Sequence, residues 1–237
     1  MITRAYSNYV KHGLRRNRDG LHAYLNCLEE EISAGMKLLH LGCGRDLNGL
    51  HYRFAGQCNV IGADVDQEAL QRYPGAKVLL NGKDLPFDDF EFDVVFCEYV
   101  LEHVEDPGAF FAGVSRVLKK EGCFIALAPN VWSYKSIAAK CIPNGWHAYF
   151  VARLRVDNIR DSNDVYPTRF LANSRGDLTR LAERYGLSIE KLIFIDNGPT
   201  WFGKVPILFE VGRLWHWIQR NWVPRLSCNF VVILRKR

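Results

Sequence analysis

Ten residues constrain this chain more than any others: Lys37-Leu38-Leu39-His40-Leu41-Gly42-Cys43-Gly44-Arg45-Asp46. An apolar run stops abruptly at two glycines that flank one small residue. A buried parallel strand ends this way when its backbone must turn tightly beside a ligand, since a residue without a Cβ lets a nucleoside or sugar lie against the main chain. In an open α/β sheet, ligands bind beyond the carboxyl ends of the strands. The turn therefore predicts an α/β fold with its site on one rim of the sheet.

The rest of the chain supplies such a sheet. Leu21 to Ser33 carries Leu21, Leu25, Leu28 and Ile32 at helical spacing, and Gly35 ends that helix. Apolar runs at Gln57 to Asp64, Ala76 to Leu80, Phe92 to Cys97 and Gly122 to Ala128 predict four further strands. Phe92 to Cys97 is almost continuously apolar, as a strand covered on both faces must be. Short helices fit between them at Gln67 to Tyr73 and Pro107 to Leu118, with His103 at the start of the second helical stretch. Strands alternating with helices in this way make a parallel, doubly wound sheet, and right-handed crossovers line the strand ends up along one rim. Gly176 to Tyr185 is an amphipathic helix with Ser174 as its cap, and Ile189 to Ile195 and Cys228 to Leu234 are two more strands.

Size and charge exclude several classes. The 237 residues suffice for one α/β domain, and 48% apolar with 24% charged residues is ordinary for a globular chain. The formal charge of +5 is spread through the sequence, so nucleic-acid binding is not expected. The seven cysteines form no C-x-x-C pair and read as buried free thiols in a reducing, cytoplasmic setting. No metal is expected, because no Cys/His cluster has ligand spacing. Residues 1–19 lack the apolar core of a signal peptide, and no run is long enough for a transmembrane helix.

Four strand ends should converge on one cleft. The first gives the glycine turn, the second Asp64, the third Asn81 and Gly82, the fourth Glu98 and then His103. A carboxylate facing a glycine turn from the neighbouring strand suits a ribose diol, whose two hydroxyls can both donate to it. Asn81 can donate to and accept from an adenine edge. A dinucleotide site is disfavoured, since Leu47 stands where G-x-G-x-x-G requires its last glycine.

The segments Leu-Gly-Cys-Gly (41–44), Gly-Ala-Asp-Val-Asp (62–66), Asp-Leu-Pro-Phe (84–87), Phe-Asp-Val-Val-Phe (92–96), Val-Leu-Glu-His-Val-Glu-Asp-Pro (100–107) and Arg-Val-Leu-Lys-Lys-Glu-Gly (116–122) together resemble the class I S-adenosylmethionine-dependent methyltransferases of the type 11 group. The resemblance covers about two fifths of the chain. It implies a seven-stranded, mostly parallel, Rossmann-like sheet with an antiparallel last strand, and S-adenosyl-L-methionine as cofactor with S-adenosyl-L-homocysteine as product. It implies that Gly42, Cys43 and Gly44 line the methionine moiety, that Asp64 holds the ribose, and that Val65 packs on adenine with Asn81 and Gly82 at its edge. Glu98 would face the amino end of the cofactor or the cleft floor. Two positions depart from the common first motif. His40 replaces an acidic residue, and Asp46 replaces a glycine and becomes a candidate for the cofactor's ammonium.

The predicted organisation is a single domain. An arm and helix (1–35) precede the cofactor-binding core (36–130), then come a lid insertion (131–175) and a C-terminal part of the sheet (176–237). The insertion is rich in aromatics, Asn and Arg and would cover the transferred methyl. Within it His147 is the first candidate for a general base, with Asp164 second and His103, outside it, third; a neutral imidazole has the right pKa to take a proton from a hydroxyl or ammonium nucleophile. Tyr149, Tyr166 and Arg169 are candidates to orient a polar or anionic acceptor. Each of these also has a structural reading, as a packed or lid-pinning residue. The expected acceptor is an O or N atom of a small molecule, such as a bacterial secondary metabolite or a glycan or lipid intermediate. A cofactor-binding module without transfer and an RNA or protein methyltransferase are the alternatives. The tryptophan-rich stretch 205–222 reads first as an amphipathic helix packed on the fold. A homodimer surface is its second reading and membrane-surface contact its third.

Overall fold

The computed structural model describes residues 19–82, 84–134, 136–137, 167–195 and 206–237. The helix α1 (Asp19–Glu31) leads into β1 (Lys37–Leu41), α2 (Leu50–Phe54), β2 (Asn59–Asp64), α3 (Gln67–Gln71) and β3 (Ala76–Leu79). Then follow β4 (Phe92–Glu98), α4 (Pro107–Val117), β5 (Leu118–Pro129), α5 (Arg175–Arg184), β6 (Leu187–Ile195), α6 (Pro206–Trp222) and β7 (Asn229–Lys236).

The seven strands form one sheet in the order β3-β2-β1-β4-β5-β7-β6. The first four junctions are parallel: β1 pairs with β2 and β4, β2 with β3, and β4 with β5. The last two run the other way. The Arg237 amide donates to the Gly186 carbonyl while the Ser188 hydroxyl donates to the Arg235 carbonyl, so β6 and β7 are antiparallel. Lys236 at the end of β7 donates to the Leu118 carbonyl at the start of β5. The sheet is thus mixed, as the sequence predicts.

The strands at the centre form because they are apolar on both faces. Leu38, Leu39 and Leu41 of β1 and Val94, Val95, Phe96 and Cys97 of β4 are buried almost completely. The helices begin where side chains supply caps. Asp106 accepts from the Ala109 amide ahead of Pro107, and the Ser174 hydroxyl accepts from the Asp177 amide at 3.1 Å. Phe111, Val114 and Val117 of α4, and Leu178, Leu181 and Ala182 of α5, are buried.

Several local expectations need correction. The short α2 was not foreseen. Residues 101–103 form a turn, so His103 is not on a helix. β5 begins at Leu118, four residues before the expected Gly122, so Lys119 is a strand residue; its ammonium lies 2.8 Å from both Asp93 oxygens. Among the described cysteines, 27, 43, 97, 123 and 228 are buried free thiols and Cys58 is half-buried.

The chain divides into two compact units. One contains residues 24–128, 168–193 and 231–237, and with them most of the sheet. Of the described residues, the other gathers 19–23, 129–134, 136–137, 167, 194–195 and 206–230. Within that second unit the Asn130 side-chain amide donates to the carbonyls of Arg225 and Ser227, and its main-chain N–H donates to that of Cys228. α6 buries Phe209 and Gln219 and exposes Ile207, Val211, Leu214, Trp217 and Trp222. Among the described residues, no helix is long and apolar enough to cross a membrane.

Candidate active site

The glycine turn after β1 is pinned to the neighbouring strand. The main-chain N–H groups of Gly42 and Cys43 both donate to the Ala63 carbonyl, at 2.7 and 3.3 Å. Gly42 sits at φ +67 and Gly44 at φ +48, backbone that L side chains rarely adopt. Their surroundings differ. A Cβ on Gly42 would lie 2.3 Å from Cγ2 of Val100, so there is no room for one. A Cβ on Gly44 would meet nothing within 4 Å. The first glycine is required by packing, whereas the second leaves an uncovered stretch of main chain.

Three carboxylates stand along this rim, and the structure uses each differently. Asp64, at the end of β2, accepts the Gly44 N–H on one oxygen at 2.6 Å and the Asp66 N–H on the other at 2.9 Å. Each oxygen keeps a lone pair for a further donor. Val65, the next residue, is 56% exposed although apolar. The Leu80 N–H donates to the Asp64 carbonyl, which brings the exposed Asn81 and Gly82 to the same edge.

Asp46 is buried, with a left-handed φ of 54. Its oxygens accept the Leu50 and His51 N–H groups at 2.8 and 3.0 Å, satisfying the first turn of α2. Asp46, a candidate for the cofactor's ammonium by sequence, thus has both oxygens engaged at the start of α2.

Glu98, at the end of β4, has both oxygens 3.0 Å from the Asn48 amide nitrogen. Burial pushes its carboxyl above the usual range, the Asp46 charge adds to this, and the Asn48 amide opposes it.

His40 sits behind the turn, 1% exposed. Its ring stacks on Phe96 with centroids 4.7 Å apart and meets the edge of Tyr73 at 5.9 Å. Among the described residues, neither ring nitrogen has a hydrogen-bond partner. Burial, with a smaller push from His51, lowers its pKa to about 3, so it is a neutral packing residue in the position where the resemblance expects an acid. Gly62 makes this possible, because a Cβ there would lie 2.6 Å from the Tyr73 ring and 2.8 Å from the Cys43 sulfur. Burial also raises the Cys43 thiol well above its usual pKa, so it is an inert wall.

The turn after β4 is tied to the segment before α5. The Arg169 and Phe170 N–H groups donate to the Glu102 carbonyl at 2.6 and 3.1 Å, and the Arg169 guanidinium pairs with Glu105 at 2.9 Å. His103 lies 3.8 Å from the buried Glu102 carboxylate. His147, Tyr149, Asp164 and Tyr166 fall outside the described residues. No group of three or more His, Cys, Asp and Glu among the described residues could hold a metal ion.

The structure thus gathers Gly42, Cys43, Gly44, Asp46, Asp64, Val65, Asn81, Gly82 and Glu98 at one sheet rim. It adds Asn48, Val100 and Tyr73, which sequence reasoning did not single out. Asn48 lies fifty residues from its partner Glu98, and only strand register could have paired them.

A family profile described as "Methyltransferase domain" matches residues 39–126. An uncharacterized protein of Methanocaldococcus jannaschii is 36% identical over 101 residues, 41% of this chain and 49% of that protein. The chain therefore spans about half the length of that relative. A ubiquinone biosynthesis O-methyltransferase of Thiobacillus denitrificans is 28% identical over 186 residues, 70% of each chain. Among solved structures, an S-adenosylmethionine-dependent methyltransferase of Mesorhizobium loti shares the fold, with a TM-score of 0.53 at 18% identity, covering 89% of this chain and 96% of that one.

Proposed function

The core of this chain is a class I methyltransferase domain of the type 11 group, and from that premise we propose that it binds S-adenosyl-L-methionine along the rim of β1, β2 and β4. It passes the methyl group to an oxygen or nitrogen of a small molecule and releases S-adenosyl-L-homocysteine. One observation carries the reading. The Asp64 carboxylate is held against the uncovered main chain of Gly44, at 2.6 Å from its N–H, with the exposed Val65 beside it. That combination is a ribose acceptor, a space without side chains and an apolar platform.

The cofactor, when bound, supplies an activated methyl on a sulfonium that leaves as a neutral thioether. The residues of this chain supply position. Asp64 takes the ribose hydroxyls on its remaining lone pairs, Val65 covers one adenine face, and Asn81 and Gly82 border the adenine edge. The bare backbone at Gly42 and Gly44 lets the methionine arm lie close. Alignment of nucleophile, methyl carbon and sulfur contributes on the order of 7–11 kcal/mol at best. A base is needed only when the nucleophile is not already ionised, and His147, Asp164 and His103 are the candidates. Arg169, with Tyr149 and Tyr166, is proposed to orient the acceptor. The similarity to a ubiquinone biosynthesis O-methyltransferase over 70% of the chain supports an oxygen acceptor on a small molecule or lipid intermediate.

Calorimetric titration with S-adenosyl-L-homocysteine tests the cofactor reading. The wild type should bind it and Asp64→Ala should bind it at least about tenfold more weakly, a loss of two hydrogen bonds to a charged group. A wild type that binds neither cofactor nor product would overturn the assignment. Transfer of a labelled methyl from the cofactor to a panel of phenols, amines and prenylated phenols then identifies the acceptor.

A further inference from the structure

The apolar residues of α6 divide between two faces. Phe209 and Gln219 turn inward and are buried. Ile207, Val211 and Leu214 recur at i, i+4 and i+7, with Ile218 at i+11 and Trp222 at i+15, so these five share one side of the helix. That side is not the buried one. Ile207 is 77% exposed at one end and Trp222 75% at the other, with Val211, Leu214 and Trp217 exposed between them and Ile218 half-buried. At the rise of an α-helix the row is about 22 Å long. A continuous apolar row of this kind, left in water, marks a surface that meets a protein or a membrane.

The polar residues along the row carry a positive balance. From 206 to 225 the sequence holds Arg213, Arg220 and Arg225 against the single acid Glu210. The Arg213 guanidinium lies 3.1 Å from the Glu210 carboxylate, so that acid is compensated within the helix. Arg225, in the turn that follows, is exposed. Three tryptophans, 215, 217 and 222, fall in the same helix. An indole joins an apolar body to one N–H donor, which suits the boundary between hydrocarbon and water.

Two occupants compete for such a row. A stable dimer takes about 800 Å² from each partner, spread over about 20–30 residues a side. One row of five side chains supplies a small part of that, and in a two-fold pairing a positive stretch would face its own copy. A bilayer surface asks for less: an apolar row that sinks about 5–10 Å into the headgroup boundary, with cations to meet the lipid phosphates. Among the described residues no helix is long and apolar enough to cross a membrane, so α6 would lie along the surface.

We infer that α6 docks this protein on an anionic membrane surface, with Ile207, Val211, Leu214 and Trp222 in the acyl boundary and Arg213 and Arg225 at the phosphates. The inference rests on α6 alone and does not depend on the cofactor reading.

Flotation of the full chain with vesicles tests it. Vesicles of phosphatidylcholine mixed with phosphatidylglycerol should carry the wild type upward, and vesicles of phosphatidylcholine alone should carry much less. Added salt should weaken the binding without abolishing it, because the apolar part is not screened. Ile207→Asp and Leu214→Asp each put a charge where an apolar side chain would be buried, and each should weaken binding by about tenfold or more. Leu47→Asp makes the same change of charge at another exposed apolar residue, outside α6, and should stay within about twofold of the wild type. Thermal melting confirms that each variant is folded before its binding is read. A wild type that floats with neither vesicle, helix variants that float as it does, or an equal loss in Leu47→Asp would overturn the assignment. Sedimentation of the chain without lipid covers the other occupant. A dimer that Leu214→Asp dissociates, with no vesicle binding by the wild type, would overturn membrane docking and make α6 a seam between two copies.

Discussion

The Gly44 main-chain N–H donates to the Asp64 carboxylate at 2.6 Å, so the turn that ends one strand is fastened to the end of the next. The bond crosses the gap between β1 and β2 at the point where a ligand would lie. It holds an acid and a bare stretch of backbone in fixed register before anything binds.

The two glycines of that turn should therefore fail in different ways. Gly42→Ala places a methyl 2.3 Å from Val100 and should destabilise the fold by a few kcal/mol, with partial rescue by Val100→Ala. Gly44→Ala meets no protein atom and should cost only about 1–2 kcal/mol from its left-handed backbone. It should nonetheless abolish S-adenosyl-L-homocysteine binding. Urea melts paired with calorimetry separate the two. A Gly44→Ala protein that binds normally would mean that the ligand lies elsewhere.

Asp46 should matter for stability rather than for charge. Asp46→Ala removes both acceptors from the start of α2 and should cost about 1–2 kcal/mol in chemical unfolding. Asp46→Asn keeps one acceptor and tolerates the positive φ, so its affinity for S-adenosyl-L-homocysteine should stay within a few-fold of wild type. A tenfold loss in that variant would show Asp46 touching the ligand's cation.

His40 makes the fold acid-labile. Its folded pKa of about 3 lies below the ordinary 6.5. The native state therefore resists a proton that the unfolded chain accepts. Stability from this site is complete above pH 6.5 and falls as the pH drops from there toward 3. At pH 5 the loss is about 2 kcal/mol, one proton over 1.5 pH units. His40→Leu should remove most of the difference in unfolding free energy between pH 5 and pH 8. An unchanged pH profile would mean that the imidazole is solvated or hydrogen-bonded.

Glu98 should act in the opposite sense. Its folded carboxyl has a raised pKa, so the charged form is disfavoured by the fold. The penalty is absent well below 4.5, grows as the unfolded chain ionises, and is complete once the pH exceeds the folded pKa. Glu98→Gln should accordingly melt higher than wild type at pH 7 in the absence of ligand, and the gain should fade in acid. A variant that melts lower at pH 7 would point to a structural cation beside Glu98.

Much of the architecture could be read from the residues, because strands buried on both faces announce themselves as apolar runs and because glycine, Asp64 and Asn81 fall where those runs stop. What escaped has local causes. Leu50–Phe54 is too short to show helical periodicity, and the acid that satisfies its first N–H groups lies four residues upstream, in a turn read as ligand-facing. The role of His40 depends on Phe96 and Tyr73, which reach it from other elements. Asn48 and Glu98 meet only because β1 and β4 are neighbours, a fact no window of sequence contains.

The order in which the strands join has a consequence for how the chain assembles. β7 lies between β5 and β6, so the sixth strand can reach the sheet only through the seventh. A growing sheet cannot add these strands in the order in which they occur. β6 must either wait unpaired or arrive with β7 already attached as an antiparallel ribbon spanning the intervening α6. Such a step joins residues far apart in sequence and sets a slow closing phase. Until it is complete, the outer edge of β5, apolar from Cys123 to Ala128, stands open to other chains. Conditions that delay this late insertion should favour aggregation even while the cofactor rim, made of the first four strands, is already formed.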